Sequence, residues 1–256
     1  MDDLQKMQPK LTRLKLSGML DTLEERMSQA INEKWSHSLF LETLLNDEVE
    51  RRENKQAFRR TSRGGLDNEK TFETFDFSFN KKIHEPTLKE LATCGFIKRN
   101  ESIFLLGPSG VGKSHLAQAI GHEACRRGCD TLFRRTFTLM EWIYAGKGDG
   151  SYEKRMQQTI KTPLLILDDF GLKPLSKDQQ ADLYEIICER YEKYPIIMTS
   201  NRDFSEWPEI FSNPLMASAA MDRLIHRGIK IVIEGNSYRR DNFIKRTKEL
   251  TATLKK

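Results

Sequence analysis

Gly107-Pro108-Ser109-Gly110-Val111-Gly112-Lys113-Ser114 fills the spacing G-x-x-x-x-G-K-[ST] at every fixed position. Glycines in such a run let backbone N–H groups turn inward around an anion. A lysine and a hydroxyl at its end add a point cation and a metal-ligating oxygen. The chemistry this suits is the holding of a nucleoside triphosphate. Lys113 is expected on the β- and γ-phosphates and Ser114 on Mg²⁺, with His115 completing the nucleotide-binding run Gly107–His115. The apolar Ile103-Phe104-Leu105-Leu106 before the loop predicts a buried strand. Leu116-Ala117-Gln118-Ala119-Ile120 after it predicts a helix, which is the strand–loop–helix context the motif requires.

Two further strand-like runs end in polar residues. Leu164-Leu165-Ile166-Leu167 runs into Asp168-Asp169, about 55 residues beyond the loop. Carboxylates at the C-terminal end of a parallel strand face the ligand crevice. Asp168 is expected to hold the metal ion and Asp169 to orient or deprotonate an attacking water. Pro195-Ile196-Ile197-Met198-Thr199-Ser200 ends at Asn201, an amide placed to sense the γ-phosphate or to act as a plain strand-end residue. Met221-Asp222-Arg223-Leu224 predicts a helix carrying an arginine far from the loop. Arg223 either completes a neighbouring subunit's site or pairs with Asp222.

The elements that must position these residues divide into two parts. Leu4, Met7, Leu11 and Leu14, then Leu20, Leu23, Met27 and Ile31, then Leu39 to Val49, recur at helical spacing, with a turn or kink expected at Gly18. A charged helix over 51–60 follows, and Thr61-Ser62-Arg63-Gly64-Gly65 reads as a linker. Residues 1–65 are therefore expected as a small helical domain. Residues 66–256 are expected as an α/β domain, a parallel sheet flanked by helices, with Ile229–Ile233 a further edge strand.

Composition narrows the class. The chain has 256 residues, a net charge of +5 and no apolar run long enough to span a membrane. The stretch Met1–Lys6 is acidic and polar, unlike a signal peptide. Cys94, Cys125, Cys129 and Cys188 form no C-x-x-C pair, so reduced thiols and a cytoplasmic location are expected. From Leu215 onward ten Lys/Arg stand against four Asp/Glu, a local excess that suits a polyanion or a solvated tail.

Taken in order, G-P-S-G-V-G-K-S, L-I-L-D-D-F-G, M-T-S-N, M-D-R-L and G-N-S-Y-R resemble the AAA+ ATPases of the DnaC/DnaA group, and within it IstB, the helper ATPase of bacterial insertion sequences. The resemblance covers essentially the full chain. It implies an AAA+ P-loop fold, with Asp168 and Asp169 as the Walker B pair, Asn201 as sensor I and Arg223 as an arginine finger acting in trans. Arg239, or Arg240 beside it, would be a sensor II-like arginine. Many AAA+ members carry Glu where Asp169 stands; Asp-Asp is usual in this branch. The resemblance also implies an extra helix between the second strand and Walker B that lines a DNA channel. There Lys147, Lys154 and Arg155 surround a glycine-rich tip, residues 146–150, whose flexibility would let cations follow phosphates without reading bases. Phe75 or Phe77 is expected either on adenine or in the core.

The function implied is an ATP- and Mg²⁺-dependent DNA-remodelling ATPase. It would form a ring or helical homo-oligomer on duplex DNA and assist a transposase. A DnaC-type helicase loader shares every motif. A small-molecule kinase shares only the loop and would need no trans arginine.

Overall fold

The computed structural model describes residues 2–253, with side chains over 6–248. Met1, Lys255, Lys256 and the Leu4 side chain, which figure in the readings above, lie outside the described residues. The chain divides into two compact units, Met1–Arg59 and Arg60–Lys256.

The first unit holds α1 (Asp2–Arg13), α2 (Ser17–Asn32) and most of α3 (His37–Gly64). Met19, Leu23 and Leu44 form its small core, with Met7, Leu11, Leu16, Met27 and Phe40 packed around them. Gly18 is no kink. It lies in the first turn of α2, where a Cβ would meet the Glu48 backbone at 2.6 Å, so it is the point where α2 and α3 touch. The buried Glu48 carboxylate accepts the Gly18 N–H at 2.6 Å and the Arg52 Nε–H at 2.6 Å. It caps from α3 a helix start that its own N-cap residue, Leu16, leaves open.

The expected linker over 61–65 is helical up to Gly64, where α3 ends, and only Gly65 turns. Thr61 is buried there, and Arg60 and Arg63 pair with Asp130.

The second unit continues with α4 (Glu85–Ala92), α5 (Gly95–Lys98), β1 (Ser102–Leu106), α6 (Lys113–Arg126), β2 (Thr131–Arg135), α7 (Thr136–Asp149), α8 (Tyr152–Lys161), β3 (Leu164–Asp168), α9 (Lys177–Arg190) and β4 (Ile196–Ser200). A 3₁₀ segment (Phe204–Ile210), α10 (Pro214–His226), β5 (Gly228–Val232) and α11 (Tyr238–Thr253) complete it. The strands pair in parallel in the order β2-β3-β4-β1-β5, with β5 at the edge as expected.

Strand side chains alternate between two cores, as the pleat requires. Phe104, Leu106, Leu165, Leu167 and Met198 face Met140, Leu183 and Trp207 on one side. Ile103, Leu105, Ile166 and Ile197 face Leu88, Leu116 and Ile120 on the other. Helices thus cover both faces, which is why the strands read as unbroken apolar runs. Sequence signals also start the later helices: Ser176 and Gln179 form a capping box for α9, and Asn213 caps α10 ahead of Pro214.

One buried cation holds this layer together. Arg190 is 1% exposed, and among the described residues no carboxylate pairs with it. Its Nη1 donates to the Thr159, Ile160 and Thr162 carbonyls, each at 2.8 Å, and its Nη2 to the Pro195 carbonyl at 2.7 Å. It satisfies the open C-terminal end of α8 and fixes it beside the start of β4. Burial pushes its guanidinium down to about 9.

The four cysteines are free thiols. Among the described residues no helix is long and apolar enough to cross a membrane.

Candidate functional site

β1, β4 and β3 are neighbours in the sheet, so the loops after them meet at one edge. The chain leaves β1 for the distant β2, which opens a crevice at the C-terminal ends of these strands. A cleft of about 660 Å³ lies there, within the range of small-ligand sites. Its walls include the loop over 109–115, Asp168, Asp169, Asn201 and Arg239. Most of the sequence-predicted residues are therefore brought together by the fold.

The loop keeps its shape because its glycines occupy conformations other residues avoid. Gly107 has φ +145° and Gly110 has φ +86°; a Cβ on Gly107 would meet the Ile233 carbonyl oxygen at 2.1 Å. Lys113, the first residue of α6, is buried and folds back over the loop. Its Nζ donates to the Gly107 and Pro108 carbonyls, both at 2.8 Å, and to Asn201 Oδ1 at 2.6 Å. Burial pulls the ammonium below its ordinary range, although Asp169 and Asp168 pull the other way. A compact cation at a helix N-terminus, ringed by positive-φ glycines, fits a polyphosphate.

The carboxylate pair is tightly pinned. Asp168 is buried, and its Oδ1 accepts the Thr199 hydroxyl at 2.5 Å. Asp169 is half-buried and holds a left-handed backbone, φ +55°, unusual for a residue with a side chain. Its N–H donates to Thr199 Oγ1 at 3.1 Å. Burial first, then the charge of Asp168, raises the Asp169 carboxyl above its ordinary value, against the pull of Arg135, Lys113 and Arg239.

A base works only when ionised. If Asp169 is the base of a hydrolysis reaction, the acid limb of the turnover–pH profile is expected above the pH at which an exposed aspartate titrates. A kcat profile from pH 4.5 to 8 checks this; an acid limb at the ordinary aspartate value would remove Asp169 as the titrating base.

His115 lines the cleft but turns toward the lead-in segment. Its Nε2 lies 2.8 Å from the Thr71 carbonyl oxygen and its ring meets Phe75 edge-on at 5.1 Å. Phe75 lines the cleft as well; Phe77 does not, and packs with Phe72 against the core. Arg239 lies in the cleft wall, whereas Arg240 does not.

Arg223 is elsewhere. It shares a small pocket with Ser102 and Ile196, the first residues of β1 and β4, so it sits at the opposite end of the sheet from the cleft. Five residues of strand rise about 16 Å, more than a guanidinium can bridge. Arg223 makes no ion pair with Asp222; its Nη1 donates to the Ala219 carbonyl at 2.8 Å and its guanidinium lies over Tyr184.

The expected DNA-facing cations differ in their freedom. Residues 146–149 do not form a flexible tip, because α7 runs on to Asp149 and Gly146 packs against Tyr152. Lys147 pairs with Asp178 at 3.1 Å and lies over the Tyr144 and Tyr152 rings. Arg155 pairs with Asp149 at 2.6 Å, donates to the Trp142 carbonyl and stacks over the Trp142 ring. Lys154 is exposed.

Sequence reasoning missed four contributors: Thr199, Arg135 at the end of β2, and the edge-on pair Phe79–Tyr238. The alternating phenylalanines over 72–79 and the tyrosine of G-N-S-Y-R were the available signals for that pair. The Tyr238 N–H donates to the Gly110 carbonyl at 3.0 Å, which ties α11 to the loop.

Comparison with known proteins agrees with this geometry. The chain is 41% identical over 230 residues to a protein of Mycobacterium tuberculosis named as an ATP-binding protein in an insertion sequence, covering 90% of this chain and 92% of that one. It is 35% identical over 229 residues to the ATP-binding protein of insertion sequence IS21 from Pseudomonas aeruginosa, covering 90% and 86%. Among solved structures, AMPPCP-bound DnaA from Aquifex aeolicus superimposes with a TM-score of 0.56 at 25% identity, over 73% of this chain and 57% of that one. DnaI, at 22% identity and a TM-score of 0.54 over 65% and 89%, shares the fold. The sheet is thus the AAA+ P-loop sheet of the DnaA and DnaC proteins. With residues 9–246 matching the family of IstB-like ATP binding proteins, this chain belongs to that family.

Proposed function

We propose that the protein is a Mg²⁺-dependent ATPase that assembles as a homo-oligomer on duplex DNA and assists the transposase of an insertion sequence in the cytoplasm. The observation that carries the shared-site reading is the placement of Arg223. The cleft gathers Lys113, Asp168, Asp169, Asn201 and Arg239, while Arg223 lies at the far end of the sheet, out of reach of its own subunit's cleft. The insertion-sequence relatives favour a transposase over a helicase as the protein partner. The helical residues 1–65 would carry partner or subunit contacts.

Within one subunit, the loop amides and Lys113 hold the triphosphate. Ser114 and Asp168 would hold Mg²⁺, whose chemistry is to neutralise phosphate charge. Asp169 orients and accepts a proton from water, and Asn201, already on Lys113 Nζ, relates the γ-phosphate to β4. Arg223 of the neighbour adds positive charge where it develops in the transition state. Lys154, and Lys147 and Arg155 after exchanging carboxylates for phosphates, would contact DNA. Lys147 and its partner are solvent-exposed, so that exchange is cheap and salt-sensitive.

Turnover measured with and without duplex DNA tests the reading. Stimulation by DNA of any sequence, with nucleotide-dependent assembly, is expected. A monomer whose turnover ignores DNA would overturn it.

A further inference from the structure

The last residues of β4 bind three consecutive residues of the Asp168-Asp169-Phe170 turn. The fully buried Thr199 donates its hydroxyl proton to Asp168 Oδ1 at 2.5 Å and accepts the Asp169 N–H at 3.1 Å. Its carbonyl accepts the Phe170 N–H at 2.8 Å. Ser200 donates its hydroxyl to the Phe170 carbonyl at 2.8 Å, and Thr136 donates to the Asp168 carbonyl at 3.0 Å. Among the described residues no donor meets Asp168 Oδ2, so the Thr199 hydroxyl decides which carboxylate oxygen is left for the cleft that Asp168 lines.

The same hydroxyl is the acceptor that holds Asp169 in its left-handed conformation. Such a backbone persists only where its surroundings over-determine it. One oxygen therefore sets both carboxylates, and it belongs to a strand that two residues later presents Asn201 to Lys113 at 2.6 Å. β4 thereby joins the phosphate-side lysine and the carboxylate pair through neighbouring side chains, with no loop between them.

We infer that Thr199 is a positioning residue of the nucleotide site. Its hydroxyl fixes the Asp168 carboxylate for a divalent cation and the Asp169 carboxylate for water, and its register with Asn201 couples both to the γ-phosphate. The inference rests on the ATPase reading above. Outer-shell hydroxyls of this kind orient the groups that touch a metal, and their loss typically lowers metal affinity or activity about 10–100-fold.

The test compares Thr199→Val, which keeps the shape and removes the hydroxyl, with Thr199→Ser, which keeps the hydroxyl. Thr199→Ala serves as a second hydroxyl-free variant should the valine protein fail to fold. A fluorescent ATP analogue is titrated in EDTA and across a Mg²⁺ series, and kcat and KM are measured in parallel. The hydroxyl-free variant is expected to bind the analogue normally in EDTA and to need about tenfold more Mg²⁺ for the metal-dependent gain in affinity. Its kcat is expected to fall about 10–100-fold with little change in KM. The serine variant is expected within about threefold of the parent in both.

A hydroxyl-free variant with parental Mg²⁺ dependence and kcat would overturn the inference. So would a serine variant as impaired as valine, which would assign the effect to packing of the methyl group, or an equal loss in EDTA and in Mg²⁺. If the parent protein showed no Mg²⁺-dependent nucleotide binding, the ATPase reading itself would fail, an outcome distinct from any of these.

Discussion

Lys113→Ala is expected to weaken ATP binding by at least about 100-fold and to abolish nucleotide-dependent DNA binding with it. Among the described residues the buried ammonium is the one cation that donates to the loop carbonyls, and its three donors now occupy Gly107, Pro108 and Asn201. Each charge-assisted bond to a phosphate oxygen contributes about 1.5–3 kcal/mol, so two such bonds account for the factor. Of the three acceptors it leaves, Asn201 lines the cleft, where water can take the place of the ammonium. Titration with a fluorescent ATP analogue and a DNA gel shift check both halves. Lost ATP binding with unchanged DNA affinity would break the proposed coupling between nucleotide and DNA.

Arg223→Ala is expected to leave nucleotide affinity of the isolated subunit within about twofold and to lower turnover of the assembled protein by about 10³-fold, the scale of an arginine finger. Arg223 touches nothing in its own cleft, so its removal cannot disturb loop, carboxylates or Asn201 directly. Its contacts among the described residues, a hydrogen bond to the Ala219 carbonyl within α10 and the Tyr184 ring, are structurally minor. Equilibrium binding alongside steady-state turnover separates the two effects. A matching loss in both would show that the residue supports the subunit's own fold.

The sheet and the heart of the site were legible in the sequence because both are local. Buried parallel strands read as apolar runs; Asp168, Asp169 and Asn201 close two of them, and Lys113 ends the glycine motif that follows a third. What escaped depends on partners distant in sequence. Gly18 looks like a turn until Glu48, thirty residues on, is seen against its Cα. Residues 146–150 look flexible, but packing of Gly146 on Tyr152 lets α7 finish its helix. Lys147 and Arg155 look free, whereas Asp178 and Asp149 hold them. Thr199 looks like one more β-branched strand residue. Only the pairing of β4 beside β3 places its hydroxyl on the carboxylate pair.

Mixing two inactive proteins tests the shared site most directly. Asp169→Asn subunits lack the base but keep Arg223; Arg223→Ala subunits lack the arginine but keep Asp169. In a mixed assembly on duplex DNA, some interfaces combine an intact Asp169 with a neighbour's intact Arg223. Equimolar mixing is therefore predicted to restore roughly a quarter of parental turnover, under random assembly with independent interfaces. A mixture as inactive as either variant alone, under conditions where both co-assemble, would contradict a site completed in trans.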